Sequence, residues 1–215
     1  MKVGVLGGTF DPIHCGHLHV ARRSLEILGL DRLYLMIARK PPHKGKSGIS
    51  SGFHRYTMAE MAVLDDPSIF VSPLELLREG PSYTIDTLCQ MRGQFPQAEF
   101  CFIAGSDSLK EIHLWKDYGK LLAEFCMVFI QRPGSEVRID ELTLKEPLQS
   151  RLHQTLINDI DSISPGRSYL IQINAPPISS TELRGRFAQG SIPSAGEIPP
   201  IVLQFIQKHR LYDRD

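Results

Sequence analysis

With 215 residues, the chain is long enough to bury one α/β core without disulfide or metal staples, and its 24 basic and 24 acidic side chains exclude bulk charge-driven binding to nucleic acid or an anionic membrane surface. Cys15, Cys89, Cys101 and Cys126 are dispersed with no C-x-x-C pairing, which suits a reducing compartment. No apolar run is long enough for a signal peptide or a membrane span, so the expectation is a soluble, cytoplasmic protein with no membrane or nucleic-acid partner.

The chain opens on a short apolar strand at 3–6, followed by Gly7 and Gly8 and then by Leu18, Ala21, Leu25 and Leu28 at helical spacing up to Gly29. A glycine turn between strand and helix lets backbone N–H groups close on a phosphate. His14 and His17 sit at or just before the helix start, where unpaired amides and the macrodipole favour an anion. Further buried strands are predicted at 33–38, 69–72, 100–104, 127–130 and 169–173. Between them lie a loop at 40–52, a helix carrying Met58, Met61 and Ala62, and another over 83–92. Strand and helix alternation predicts a doubly wound, mostly parallel sheet, Rossmann-like, in one domain over 1–215. The charged stretch 134–166, with Leu148, Leu152, Leu156 and Ile160 at helical spacing, reads as a peripheral insertion carrying an amphipathic helix. A last helix is expected over 198–209, entered through Pro199.

A strand followed by glycines and a helix also begins dinucleotide-binding folds. Here the glycines fall at Gly4, Gly7 and Gly8 rather than as G-x-G-x-x-G, and the second strand ends in Ala38-Arg39-Lys40 with no acidic residue for a ribose, so the redox fingerprint is absent. His14-Cys15-Gly16-His17 could alternatively bind a metal or serve only as helix-start residues; a structural zinc site wants a further ligand pair that is not visible, and no metal site is expected. Imidazole N–H donors facing phosphoryl oxygens are the preferred reading. A second anion site is expected where Pro176 and Pro177 lead into Ser179-Ser180-Thr181-Glu182. This S-x-x-E capping box places Ser180 and Thr181 in a first turn, with Arg184 on the face of Ser180. Two helix openings of this kind can hold a triphosphate between them.

These strings, with Pro41-Pro42-His43-Lys44, Gly80-Pro81-Ser82-Tyr83-Thr84, Gly105-Ser106-Asp107 and Arg132-Pro133-Gly134, occur in an order that resembles the bacterial nicotinate-nucleotide adenylyltransferases of the HxGH nucleotidyltransferase superfamily over nearly the whole chain. The resemblance implies transfer of AMP from ATP to nicotinate mononucleotide in NAD biosynthesis, with Mg²⁺ on the triphosphate. It implies that His14, His17 and Arg184 act on the reacting phosphates, and that Gly8, Thr9, Phe10, Ile178, Ser180 and Thr181 bind ATP. Gly105 and Asp107 are implied for the adenosine half, Asp107 being compatible also with a helix cap. Lys44, Ser82, Tyr83, Thr84, Trp115 and Arg132 are implied for the nicotinate nucleotide. His19, His43, His54 and His113 are read as mostly surface or structural residues. The chain departs from the family in carrying Lys116, not an aromatic, directly after Trp115, and in a longer 134–166 segment; homo-oligomerisation is left open. The alternatives are an HxGH transferase with another acceptor, nicotinamide mononucleotide or phosphopantetheine, and a nucleotide sensor without turnover.

Overall fold

The computed structural model describes residues 1–39, 49–133, 137, 144–154 and 163–213. Strand β1 (Lys2–Gly8) leads into α1 (Cys15–Ile27), β2 (Arg32–Ile37), α2 (Gly52–Ala62), β3 (Ile69–Ser72), the single-turn α3 (Leu74–Leu77) and α4 (Thr84–Gln94). Then come β4 (Glu99–Gly105), two 3₁₀ turns (Ser106–Lys110 and Ile112–Leu114), α5 (Tyr118–Glu124) and β5 (Cys126–Gln131). The chain continues through α6 (Leu148–Arg151), β6 (Leu152–Gln154), β7 (Ser168–Gln172), α7 (Ser180–Phe187) and α8 (Pro200–Lys208).

The strands form a seven-stranded sheet in the order β3-β2-β1-β4-β5-β7-β6, and every described pairing is parallel. Strands alternate between two buried faces. Leu6, Ile103 and Val128 pack toward α1, α2, α7 and α8, whereas Val5, Phe102 and Met127 pack toward α4 and α5. Burial on both faces is what near-continuous apolar strands demand. The winding direction reverses between β1 and β4, so the loops leaving their carboxyl ends diverge and open a crevice, the usual ligand position in such sheets. Helix α1 stops where Gly29 takes φ +56°, with Leu30 N–H on Leu25 O and Gly29 N–H on Glu26 O, a left-handed cap that brings the chain back into β2.

The doubly wound parallel sheet is as expected, and the six strands read from the sequence are all present. The helix expected to carry Leu148 through Ile160 is not found as such: α6 ends at Arg151, and Leu152–Gln154 pair with Ser168–Leu170 as the edge strand β6, with 155–162 outside the described residues. An unpaired edge of β7 offers a row of backbone donors and acceptors, and satisfying it outweighs a modest helical pattern. Helix α8 is entered through Pro199 as expected, but Pro199 is its N-cap and Pro200 is the proline in the first turn. The four cysteines are free, and among the described residues no helix is long and apolar enough to cross a membrane.

Candidate active site

The crevice holds a cavity of about 490 Å³ lined by the β1–α1 turn, the carboxyl end of β4, the start of α4 and the start of α7. The turn is built around close packing. A Cβ on Gly8 would lie 2.7 Å from the Phe10 ring, and one on Gly7 2.6 Å from the Phe102 ring, so both positions need glycine. Phe10 itself takes φ +49°, a strained left-handed conformation for a bulky residue, with its ring buried edge-on against His17 at 5.0 Å.

His14 is the N-cap of α1: its backbone is extended and its Nδ1 accepts the His17 N–H at 3.3 Å. An accepting Nδ1 leaves the ring proton on Nε2 as a donor. Burial, reinforced by the Arg132 charge, pushes the His14 pKa down from 6.5 to about 4, so the imidazole is neutral near pH 7. The rings of His14 and His17 stack at 3.7 Å, and both line the cavity. Between them Gly16 fits tightly, since a Cβ there would come within 3.1 Å of the His14 ring and 3.2 Å of the Pro176 carbonyl.

Helix α7 meets this turn directly. Ser180 Oγ donates to Pro12 O at 3.1 Å, Arg184 Nη1 donates to Asp11 O at 2.6 Å, and Arg184 Nη2 donates to Thr181 Oγ1 at 3.3 Å. The two helix openings therefore converge. The expected capping box does not form as drawn, because Ser179 makes no side-chain cap bond although the helix does begin at Ser180. Ser180 spends its hydroxyl on the first turn instead, which ties the two anion sites together.

Of the predicted positions, Gly8, Thr9, Phe10, His14, His17, Ser82, Thr84, Gly105, Asp107, Trp115, Arg132, Ile178, Ser180, Thr181 and Arg184 all line the one cavity. Tyr83 does not: it is the N-cap residue of α4, its ring packs against the core on the α4 side, and the Lys116 ammonium sits over it at 5.2 Å. Lys116 in turn grips both Asp86 oxygens at 2.9 Å. Lys44 lies outside the described residues. Asp107 is not a cap, since Gly105 holds that place, and its carboxylate folds back over the position a Gly105 Cβ would take. Trp115 is set edge-on to Phe102 at 6.0 Å, with one side on the cavity. His19, His54 and His113 are not in the lining.

Three further residues shape the site. Arg55, 2% exposed, donates to the carbonyls of Thr9, Ala38 and Ser50, joining the ends of β1, β2 and the approach to α2. Asp11, 1% exposed, accepts from Ser50 N–H at 3.1 Å and the Tyr212 hydroxyl at 2.6 Å. Glu75 lines the α4 end of the cavity and accepts from Thr87 Oγ1 at 2.6 Å; burial raises its pKa. Asp11 alone had a local signal, its place inside the glycine-rich turn.

A family model described as cytidylyltransferase-like matches residues 5–186. A protein of Symbiobacterium thermophilum described as a probable nicotinate-nucleotide adenylyltransferase is 37% identical over 213 residues, covering 99% of this chain and 96% of its own. A relative of the same description from Thermus thermophilus is 37% identical over 218 residues, covering 99% and 100%. The fold is similar to that of the Plasmodium falciparum nicotinic acid mononucleotide adenylyltransferase complexed with NaAD, with a TM-score of 0.75 across 100% of this chain and 98% of that one, at 23% identity. On the extent of these matches, the chain belongs to the cytidylyltransferase-like family and, within it, to the nicotinate-nucleotide adenylyltransferases.

Proposed function

We propose that this cavity transfers AMP from ATP to the phosphate of nicotinate mononucleotide, giving nicotinate adenine dinucleotide and pyrophosphate. The observation that carries the reading is the joining of two helix openings: His14, His17 and Arg184 line one cavity, with Arg184 bonded to Asp11 and Ser180 to Pro12. An acceptor phosphate oxygen forms the new bond to the α-phosphorus as the bond to the β-phosphate oxygen breaks, and pyrophosphate leaves with that electron pair. The acceptor is already an anion, so no general base is required. The protein's work is to align two polyanions and to place donors where charge builds up.

In this scheme the Nε2–H of His14, the His17 imidazole and the Arg184 guanidinium face the α- and β-phosphoryl oxygens. Backbone amides at Thr9 and Phe10, with Ser180 and Thr181, hold the remaining phosphates. A neutral His14 donates without attracting a phosphate proton. Gly105 and Asp107 take the adenosine half, where a carboxylate accepts from ribose hydroxyls, and Ile178 supplies an apolar wall. The start of α4 at Ser82 and Thr84 supplies amides for the pyridine carboxylate, Trp115 a ring face, and Arg132 a cation beside the phosphates. Lys44 is assigned a further cation on the acceptor side. Mg²⁺ arrives with the triphosphate as part of the substrate and neutralises its charge; among the described residues no group of three histidine, cysteine or acidic side chains is placed to hold a metal ion. Four free thiols suit a cytoplasmic setting.

The test is pyrophosphate release, with mass detection of the dinucleotide, for nicotinate mononucleotide, nicotinamide mononucleotide and phosphopantetheine in parallel. Preferential turnover of the nicotinate compound is expected. Equal rates with the amide, or ATP binding with no pyrophosphate from any acceptor, would overturn the assignment.

A further inference from the structure

We propose that Tyr212 is a positioning residue for adenylyl transfer, whose hydroxyl holds Asp11 and, through Asp11, keeps Arg184 and the β1–α1 turn aligned for the reaction. The proposal rests on the adenylyltransferase reading above. Its basis is a chain of contacts across distant parts of the sequence. The Tyr212 hydroxyl donates to Asp11 Oδ1 at 2.6 Å, Ser50 N–H donates to Asp11 Oδ2 at 3.1 Å, and the backbone carbonyl of the same Asp11 accepts Arg184 Nη1 at 2.6 Å. One buried residue thus receives the C-terminal segment, the approach to α2 and the guanidinium assigned to the phosphates.

The backbone is bent to make this contact. Arg210 at φ +49° and Tyr212 at φ +71° are both left-handed and neither is glycine, a conformation that persists only where surrounding contacts impose it. The Tyr212 ring is held by stacking on Phe187 of α7 at 5.8 Å, the helix that also carries Arg184. Merely anchoring the end of the chain would require the ring but not a hydroxyl aimed at an acidic group in the cavity wall.

The hydroxyl answers an electrostatic problem. Asp11 lines a cavity meant for polyanions, where an unengaged carboxylate would repel phosphate and compete for Arg184. Tyr212 and Ser50 occupy one oxygen each, and the Arg55 charge acts on the same carboxylate. Removing the hydroxyl leaves Oδ1 short of a partner and free to draw the guanidinium away from the substrate.

The experiment compares the parent enzyme, Tyr212→Phe, Asp11→Asn and the double variant, in pyrophosphate release with ATP and nicotinate mononucleotide, at a temperature where circular dichroism shows the parent fully folded. Tyr212→Phe is expected to lower kcat by on the order of tenfold, the worth of one charge-assisted hydrogen bond, with KM for ATP changed less than about threefold. In the Asp11→Asn background the same substitution should change kcat by less than about twofold, because the carboxylate through which it acts is gone. A Tyr212→Phe enzyme with parental kcat, a tenfold loss that persists in the Asp11→Asn background, or loss of the folded signal on removing the hydroxyl alone would each overturn the proposal, the last by assigning Tyr212 a purely structural part. Parental turnover of nicotinate mononucleotide is read first, so failure of the underlying reading shows itself separately.

Discussion

Replacing His14 by asparagine and by alanine separates the two tasks its imidazole performs. Nδ1 caps α1 by accepting the His17 N–H at 3.3 Å, which leaves the ring proton on Nε2, the donor assigned above to the phosphates. Alanine removes both. Loss of a cap costs about 1 kcal/mol, toward the lower half of the usual range here because the bond is long, and lowers Tm by about 2–4 °C for a chain of this size. Asparagine is a strong N-cap residue whose side-chain oxygen can take the same N–H, so His14→Asn should hold Tm within about 2 °C of the parent. Both variants lose the Nε2 donor and should fall about 10²- to 10³-fold in kcat, with a smaller change in ATP affinity, as expected for a group whose partner gains charge in the transition state. Thermal unfolding by circular dichroism and steady-state pyrophosphate release measure the two effects independently. Equal destabilisation by asparagine and alanine would refute the capping argument, and an asparagine variant keeping more than about a tenth of parental kcat would refute the donor argument.

The depressed His14 pKa has a consequence for stability against pH. Protons bind the unfolded chain first, near 6.5, and the folded one only near 4, so stability is full above the upper value and lost as pH falls toward the lower, by up to roughly 3 kcal/mol. Unfolding curves from pH 4 to 7.5 should show this slope in the parent and a flatter one in His14→Asn; parallel curves would contradict it. Gly16→Ala places a methyl 3.1 Å from the His14 ring and 3.2 Å from the Pro176 carbonyl, so the ring must yield, and kcat should drop by about tenfold or more; parental kcat would show that the turn adapts. Arg55→Met leaves the carbonyls of Thr9, Ala38 and Ser50 without their donor and should cost about 3 kcal/mol or more in a urea titration, which an unchanged midpoint would disprove.

Local chemistry was readable, and so was the convergence of the two helix openings; the buried partners that hold them together were not. The β1–α1 turn could be recognised because strand, glycines and helix are contiguous, and the approach to α7 because two prolines and a hydroxyl run precede it. Arg55 looked like any arginine on an amphipathic helix and Tyr212 like any residue in a polar tail, since Arg55 reaches Thr9 across 46 positions and Tyr212 reaches Asp11 across 201. Glu75 was equally silent, because its burial depends on Thr87 and the packing of α4. Tyr83 failed as a cavity residue for a simpler reason: an amide at a helix start can face the ligand while its side chain turns into the core. The stretch from Leu148 misled because sheet-edge pairing is decided by a neighbour the stretch itself does not contain.

The contacts of Pro12 with Ser180 and of Asp11 with Arg184 and Tyr212 span 168, 173 and 201 residues. The two halves of the anion cradle are therefore contributed by segments 168 and 173 residues apart, with most of the sheet lying between them in sequence. A fragment that stops before residue 180 lacks Ser180, Thr181 and Arg184, and with them half of the proposed nucleotide site. Competence is thus a property of the whole tertiary fold and of neither local segment, since the cradle closes only where α7 is docked against the β1–α1 turn.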